Sequence, residues 1–224
     1  TRTAFVNAGL EAAWERTLAF VVQPGVEFGD TSVHAYDRQN ARHLSKLIEK
    51  HDNLVFEAHS TDYQTRPHLG ELVNDHFAFL KVGPALTYAL REALFALSEI
   101  EEELFGSTDL ILSDLINVLE QQMVAKPEHW IRYYCGNENT RRFKRKYSLL
   151  DRSRYYFSNP EIEISLSLLF NNLSQTNIPF SLISQFMPDQ FRKVKEGKIG
   201  NQPMDLISGK IADLLEDYIF ACNL

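Results

Sequence analysis

Leu18-Ala19-Phe20-Val21-Val22-Gln23-Pro24-Gly25 is the stretch that decides the fold. An unbroken apolar run closed by a Pro-Gly stop has the pattern of a short strand buried on both faces. Two stretches repeat the plan: Leu54-Val55-Phe56-Glu57-Ala58, and Phe77-Ala78-Phe79-Leu80-Lys81-Val82, stopped by Gly83-Pro84. Between the first two, residues 37–50 put Ala41, Leu44, Leu47 and Ile48 at helical spacing, and a shorter helical segment at 68–75 precedes the third. Residues 85–104 follow with Leu86, Leu90, Leu94, Leu97, Ile100 and Leu104 on one stripe, and residues 1–16 read as an amphipathic helix feeding the first strand. The order α-β-α-β-α-β-α predicts parallel pairing with right-handed crossovers, hence an α/β fold. Three strands cannot close a barrel, so further strands or another chain are expected to cover the sheet edges. Thr1 in place of Met fits a chain numbered from an internal point.

From Gly106 onward the strand signal fades. Helices are expected at 110–123, ended near Pro127, and at 129–134, 149–157, 162–173 and 204–221. Ile162, Ile164, Leu166 and Leu168 alternate as in a strand, but Leu166, Leu169, Phe170 and Leu173 fit a helix, which is the reading adopted. Two regions result: 1–105 with the strands, and a helical region, 106–224.

A composition of 44% hydrophobic and 24% charged residues argues against disorder. No apolar run approaches the roughly 20 residues of a membrane helix, and no basic-then-apolar leader opens the chain, so no membrane association is expected. Cys135 and Cys222 show neither disulfide nor zinc-site spacing, which fits a reducing cytoplasm. Residues 1–105 hold nine Lys/Arg against sixteen Asp/Glu, whereas 106–224 hold fourteen of each. An acidic first region is a poor surface for phosphate backbones. The basic, aromatic run 141–154 has an acidic counterpart in Glu99, Glu101, Glu102 and Glu103, so no nucleic-acid partner is expected. No Gly-x-x-x-x-Gly-Lys-Ser/Thr or Gly-x-Gly-x-x-Gly loop occurs, and motifs give a nucleotide-using kinase no support.

Side chains on a strand alternate faces. Val21, Gln23, Gly25 and Glu27 form one set if the extended path continues past Pro24; Val55, Glu57 and His59 form a second, and Phe79, Lys81 and Gly83 a third. Glu27, Glu57, His59 and Lys81 would then converge at the strands' C-terminal ends, where α/β sheets build their sites. The same set reads equally as a polar layer in which Lys81 pairs with Glu57 and nothing reacts. The loop His59-Ser60-Thr61-Asp62 offers hydroxyls and backbone N–H groups to a sugar-phosphate ligand, and Gly83 allows close backbone approach. As alternatives, Ser60, Thr61 and Asp62 are cap formers, and Gly83 is a strand stop.

Val22-Gln23-Pro24-Gly25-Val26-Glu27-Phe28, Phe56–Thr65 and Leu80–Thr87 closely resemble one family, and the likeness continues through Tyr88–Leu97, Tyr147–Tyr156 and Ile183–Pro188. That family is the non-catalytic subunit of tagatose-1,6-bisphosphate aldolase, of galactitol and N-acetylgalactosamine catabolism. The resemblance implies that the three strands are the last three of a (β/α)8, TIM-type barrel, with a helical tail. It also implies a partner, a zinc-dependent class II aldolase chain that this subunit would support. Glu27 and His59 would stand near two positions that carry zinc-binding histidines in catalytic class II aldolases. A divalent zinc at the barrel mouth is therefore left open, Glu27 departing from the all-histidine set. Members also carry the label tagatose-6-phosphate kinase. The alternative is a sugar-phosphate enzyme in its own right, acting by metal-assisted aldol cleavage or through a Lys81 Schiff base, with Glu57 and Lys81 as catalytic candidates.

Overall fold

The computed structural model describes residues 1–223. The chain divides into two compact units: Thr1–Phe28 with Val33–Gly83 and the residues from Asp217 onward, and Gly29–Ser32 with Pro84–Glu216.

The first unit is α/β. Strands β1 (Ala19–Val22), β4 (Val55–Ala58) and β5 (Phe79–Leu80) form a parallel sheet in the order β1-β4-β5. The three quoted apolar runs are thus the three sheet strands. Register aligns Phe20 with Phe56, Val21 with Glu57, and Val22 with Ala58; Glu57 and Ala58 in turn face Phe79 and Leu80. On one face, Phe20, Val22, Phe56, Ala58 and Leu80 pack with Ala41, Leu44 and Ile48 of α3 (Arg38–Ile48) and Leu69, Leu72 and Val73 of α4 (Arg66–Asn74). Phe77 stacks on Phe56 at 5.7 Å between ring centroids. Both helices begin where short polar side chains cap free backbone N–H groups: Asp37 accepts from Gln39 and Asn40, and Thr65 from His68. On the other face lie Val21 and Phe79, 61% and 49% exposed, with half-buried Glu57 between them.

Three sequence expectations for this unit change. Residues 1–16 are not one helix but α1 (Arg2–Asn7) and α2 (Glu11–Glu15), broken where Gly9 takes φ +67°. Beyond Pro24 the chain turns into an antiparallel pair, β2 (Glu27–Phe28) with β3 (Val33–His34). Glu27 therefore leaves the path of β1, and the face alternation that grouped it with Val21 and Gln23 does not reach it. Leu47 is 49% exposed and not part of the core stripe of α3.

The second unit is helical. Its core joins Leu94, Leu97 and Ile100 of α5 (Pro84–Phe105) to Leu115, Leu119 and Met123 of α6 (Leu115–Ala125) and to Ile162, Leu169 and Leu173 of α8 (Pro160–Ser174). Ile164 is 58% exposed on α8, so the helical periodicity governs this segment. The core stripe of α5 places that helix in the second unit, and the compact units part at Gly83/Pro84. Helix α7 (Glu138–Tyr147), capped by Asn137, takes up much of the basic run. Helices α9 (Phe180–Phe186), α10 (Pro188–Lys195) and α11 (Pro203–Ala221) complete the order, with α11 running on from Glu216 into the residues of the first unit; α7, α9 and α10 are unanticipated. Residues 110–114 are not helical, since Asp114 sits at φ 48°; 129–134 and 149–157 give only the 3-10 turns Pro127–His129 and Arg152–Tyr155, the second following Asp151 at φ 42°. Short segments cannot meet the cost of helix nucleation from their apolar spacing alone.

Several buried polar groups in this unit are tied together. Glu101 accepts from Ser113 N and Oγ and from Asn172 Nδ2, and Ser165 Oγ donates to Ser113 O. The buried Arg145 pairs with Glu120 and Glu138 and lies over the Trp130 ring at 4.7 Å. Within the basic run Lys144 and Arg145 are internally paired, with Asp30 and with Glu120 and Glu138, in place of the 99–103 carboxylates. Trp130, Tyr134 and Tyr156 are core residues, whereas Tyr133 and Tyr155 are 50% and 43% exposed.

Candidate functional site

The C-terminal ends of the parallel strands carry the candidate residues. Pairing runs one residue past each strand, because His59 N donates to Val22 O at 3.1 Å and Lys81 N to Ala58 O at 3.1 Å. By alternation, Gln23, His59 and Lys81 continue the face of Val21, Glu57 and Phe79. His59 and Lys81 are exposed, and His59 Nδ1 lies 2.8 Å from Ser60 Oγ. Ser60 adopts φ 61°, the left-handed region, which turns the chain sharply away from β4.

Two clasps hold the following loop to the end of β5. Thr61, fully buried, donates from both N and Oγ1 to Lys81 O, at 3.2 and 3.0 Å. Asp62, 2% exposed, accepts from Gly83 N at 2.8 Å. The Thr61 hydroxyl, the Asp62 carboxylate and the Gly83 amide thus serve the loops themselves, while Ser60 stands at the rim. A third tie comes from Tyr218, whose hydroxyl donates to Thr61 O at 3.0 Å, with burial holding that phenol protonated far above its usual range. No sequence signal pointed to Tyr218, since 157 residues separate the partners. Gln64 likewise bridges Tyr36 N and His34 O, fixing the hairpin strand β3 to the loop.

Glu27 and Lys81 behave otherwise than as a polar layer. Glu27 is exposed on β2, where Gln23 Nε2 donates to its carboxylate at 2.8 Å. Lys81 is exposed and forms no ion pair with Glu57, so the paired-layer reading of those two does not hold. The reason is that the ammonium sits one row beyond Glu57, at the rim where solvent reaches it. Among the described residues no three His, Cys, Asp or Glu groups lie together as a metal site. Glu27 and His59 do not by themselves make a zinc centre. Cys135 and Cys222 are both free.

Residues 1–223 match the family model described as "D-tagatose-1,6-bisphosphate aldolase subunit GatZ/KbaZ-like". The chain belongs to this family. The fold also matches the crystal structure of a probable tagatose 6 phosphate kinase from Sinorhizobium meliloti 1021, with a TM-score of 0.94 and 43% sequence identity. The match covers 99% of this chain and 57% of that one, so the chain spans little more than half the length of that relative. Among the described residues no helix is long and apolar enough to cross a membrane.

Proposed function

We propose that this chain is part of an accessory, non-catalytic subunit that supports the activity and stability of a zinc-dependent class II tagatose-1,6-bisphosphate aldolase. The pathway would be galactitol and N-acetylgalactosamine catabolism. The observation that carries the reading is the family match over residues 1–223, whose description names an aldolase subunit. In this reading the three parallel strands close into a (β/α)8 barrel with strands from the rest of the protein. Support comes from the exposed apolar side chains of Val21 and Phe79 on a sheet face that single-layer packing leaves to solvent. The barrel mouth then carries Glu57, His59, Ser60 and Lys81, while Thr61, Asp62 and Gly83 shape the loops that a sugar phosphate would meet. Zinc belongs to the catalytic partner. Residues 106–224 would supply much of the contact with the partner, with exposed Tyr133 and Tyr155 as anchors.

The name of the 43%-identical relative favours a second reading, a sugar-phosphate enzyme in its own right. Purifying the intact protein without its partner separates the two. The accessory reading expects no aldol cleavage with added zinc, no borohydride-trapped adduct at Lys81 and no ATP-dependent phosphorylation of tagatose 6-phosphate, yet a longer-lived, more active catalytic subunit on co-expression. Turnover by the lone protein above about 1 per second would overturn it.

A further inference from the structure

Helix α3 turns a row of bases outward. Arg38, Arg42, Lys46 and Lys50 recur every fourth residue, so four of the nine Lys/Arg in residues 1–105 stand on one stripe, the last just past the helix end. Ala41, Ser45 and Ile48 bury the core side of the helix, whereas Arg42, His43, Lys46, Leu47 and Lys50 are exposed. The nearby carboxylates are engaged elsewhere: Asp75 pairs with Arg38, Asp37 caps the helix, and Glu49 faces His76 Nε2 at 3.4 Å. Among the described residues Arg42, Lys46 and Lys50 meet no carboxylate. The opposite sign gathers in the helical unit. A groove of about 390 Å³ is lined by Glu99 and Glu102 of α5, by Asp114, and by Leu112 and Ile116. Glu99, Glu102 and Asp114 are exposed and, among the described residues, have no cationic partner; Asp114 accepts only from Asn117 Nδ2, at 2.6 Å. Ile111, beside the groove in sequence, is 75% exposed. Like charges three or four apart on a helix repel, so each surface is destabilising until opposite charge meets it.

We propose that the α3 stripe of one copy of this protein docks on the acidic groove of a second copy, Arg42 and Lys46 meeting Glu99, Glu102 and Asp114. Charge complementarity selects the occupant: three free cations stand against three free carboxylates, and each set has an exposed aliphatic neighbour, Leu47 or Ile111. The contact joins two different surfaces, so it is heterologous and continues from copy to copy into species larger than a dimer. Exposed charge pairs hold weakly and are screened by salt, which makes the association one driven by protein concentration. The stripe lies opposite the side of α3 that packs on the sheet, so the inference is independent of the strand ends and of the aldolase-subunit reading.

Sedimentation velocity of the intact protein over about 5–200 μM, at about 50 mM and about 500 mM NaCl, tests it. The expected result is growth in size with concentration at the lower salt, with a Kd of about 10–100 μM, weakened about tenfold or more at the higher salt. Arg42→Glu with Lys46→Glu reverses the stripe, and Glu99→Lys with Glu102→Lys reverses the groove; each double variant alone is expected to lose the association. An equimolar mixture of the two, or all four substitutions in one chain, is expected to restore it, because each reversed surface again meets its opposite. Restoration in the mixture also shows that both double variants fold. The proposal is overturned if the wild type shows no growth in size up to about 200 μM at the lower salt. It is equally overturned if either reversed surface leaves the association intact, which would assign the contact to other residues, or if the mixture fails to restore it.

Discussion

Replacing Phe79 by alanine in the intact protein separates a closed barrel from an open sheet. The ring is 49% exposed on the face of Val21 and Glu57. If that face stays in solvent, only about half of the burial energy of a phenylalanine is lost, roughly 1 kcal/mol. If the face lines a barrel interior, the ring is wholly enclosed and its deletion also leaves a cavity, at about 3–5 kcal/mol. The barrel proposal takes the larger value. For a given protein the melting temperature falls in proportion to the loss, so an enclosed ring gives a shift about three times that of an exposed one, or more. Differential scanning calorimetry of wild type and Phe79→Ala reads the difference directly, with Phe77→Ala as the reference for a ring already buried on the opposite face. A Phe79→Ala shift less than about half of the Phe77→Ala shift would refute the enclosed interior.

Two smaller perturbations test the ties around the sheet. Arg38 beside Asp75 is the main cause holding that carboxyl below its ordinary range, and Tyr36 Oη donates to the same group at 2.8 Å. A carboxyl whose pKa is depressed by folding contributes stability above its unfolded value, near 4, and loses that contribution as pH falls through the folded value. Asp75→Asn is therefore expected to cost about 2 kcal/mol at pH 7, from the weakened bond to the buried Tyr36 hydroxyl. The gap between variant and wild type should narrow below about pH 4, so melting curves with an equal gap at pH 7 and pH 3 would contradict the assignment. Tyr218→Phe removes the donor to Thr61 O and should cost about 1 kcal/mol. Its signature is roughly fivefold faster amide exchange at Thr61, and unchanged exchange there would mean that the tie does not hold the loop.

The three β-strands and their helices were legible because the information is local. An apolar run with a Pro-Gly stop, a helical stripe behind an Asp or Thr cap, and the alternation of side chains all act within a few residues. That locality carried α3, α4, α5, α6, α8 and α11, and it brought Glu57, His59 and Lys81 to one face of the sheet. It failed where a single backbone torsion redirects the chain, as at Gly9, Asp114 and Asp151, and where two-residue strands pair after a sharp turn, as in the Glu27–His34 hairpin. Glu27 was misplaced for that reason. What only tertiary structure decided were the partners. Tyr218 reaches Thr61 across 157 residues, Asn172 reaches Glu101 across 71, and Arg91 meets Asp151 with aromatic rings on its flanks. Such contacts depend on where folding brings distant segments together, and they decide whether a polar side chain closes a loop or fills a core. Thr61, Asp62 and Gly83 carry the same residue types whether they cradle a phosphate or clasp one another; their hydrogen bonds, set by the packing of β4 against β5, distinguish the two.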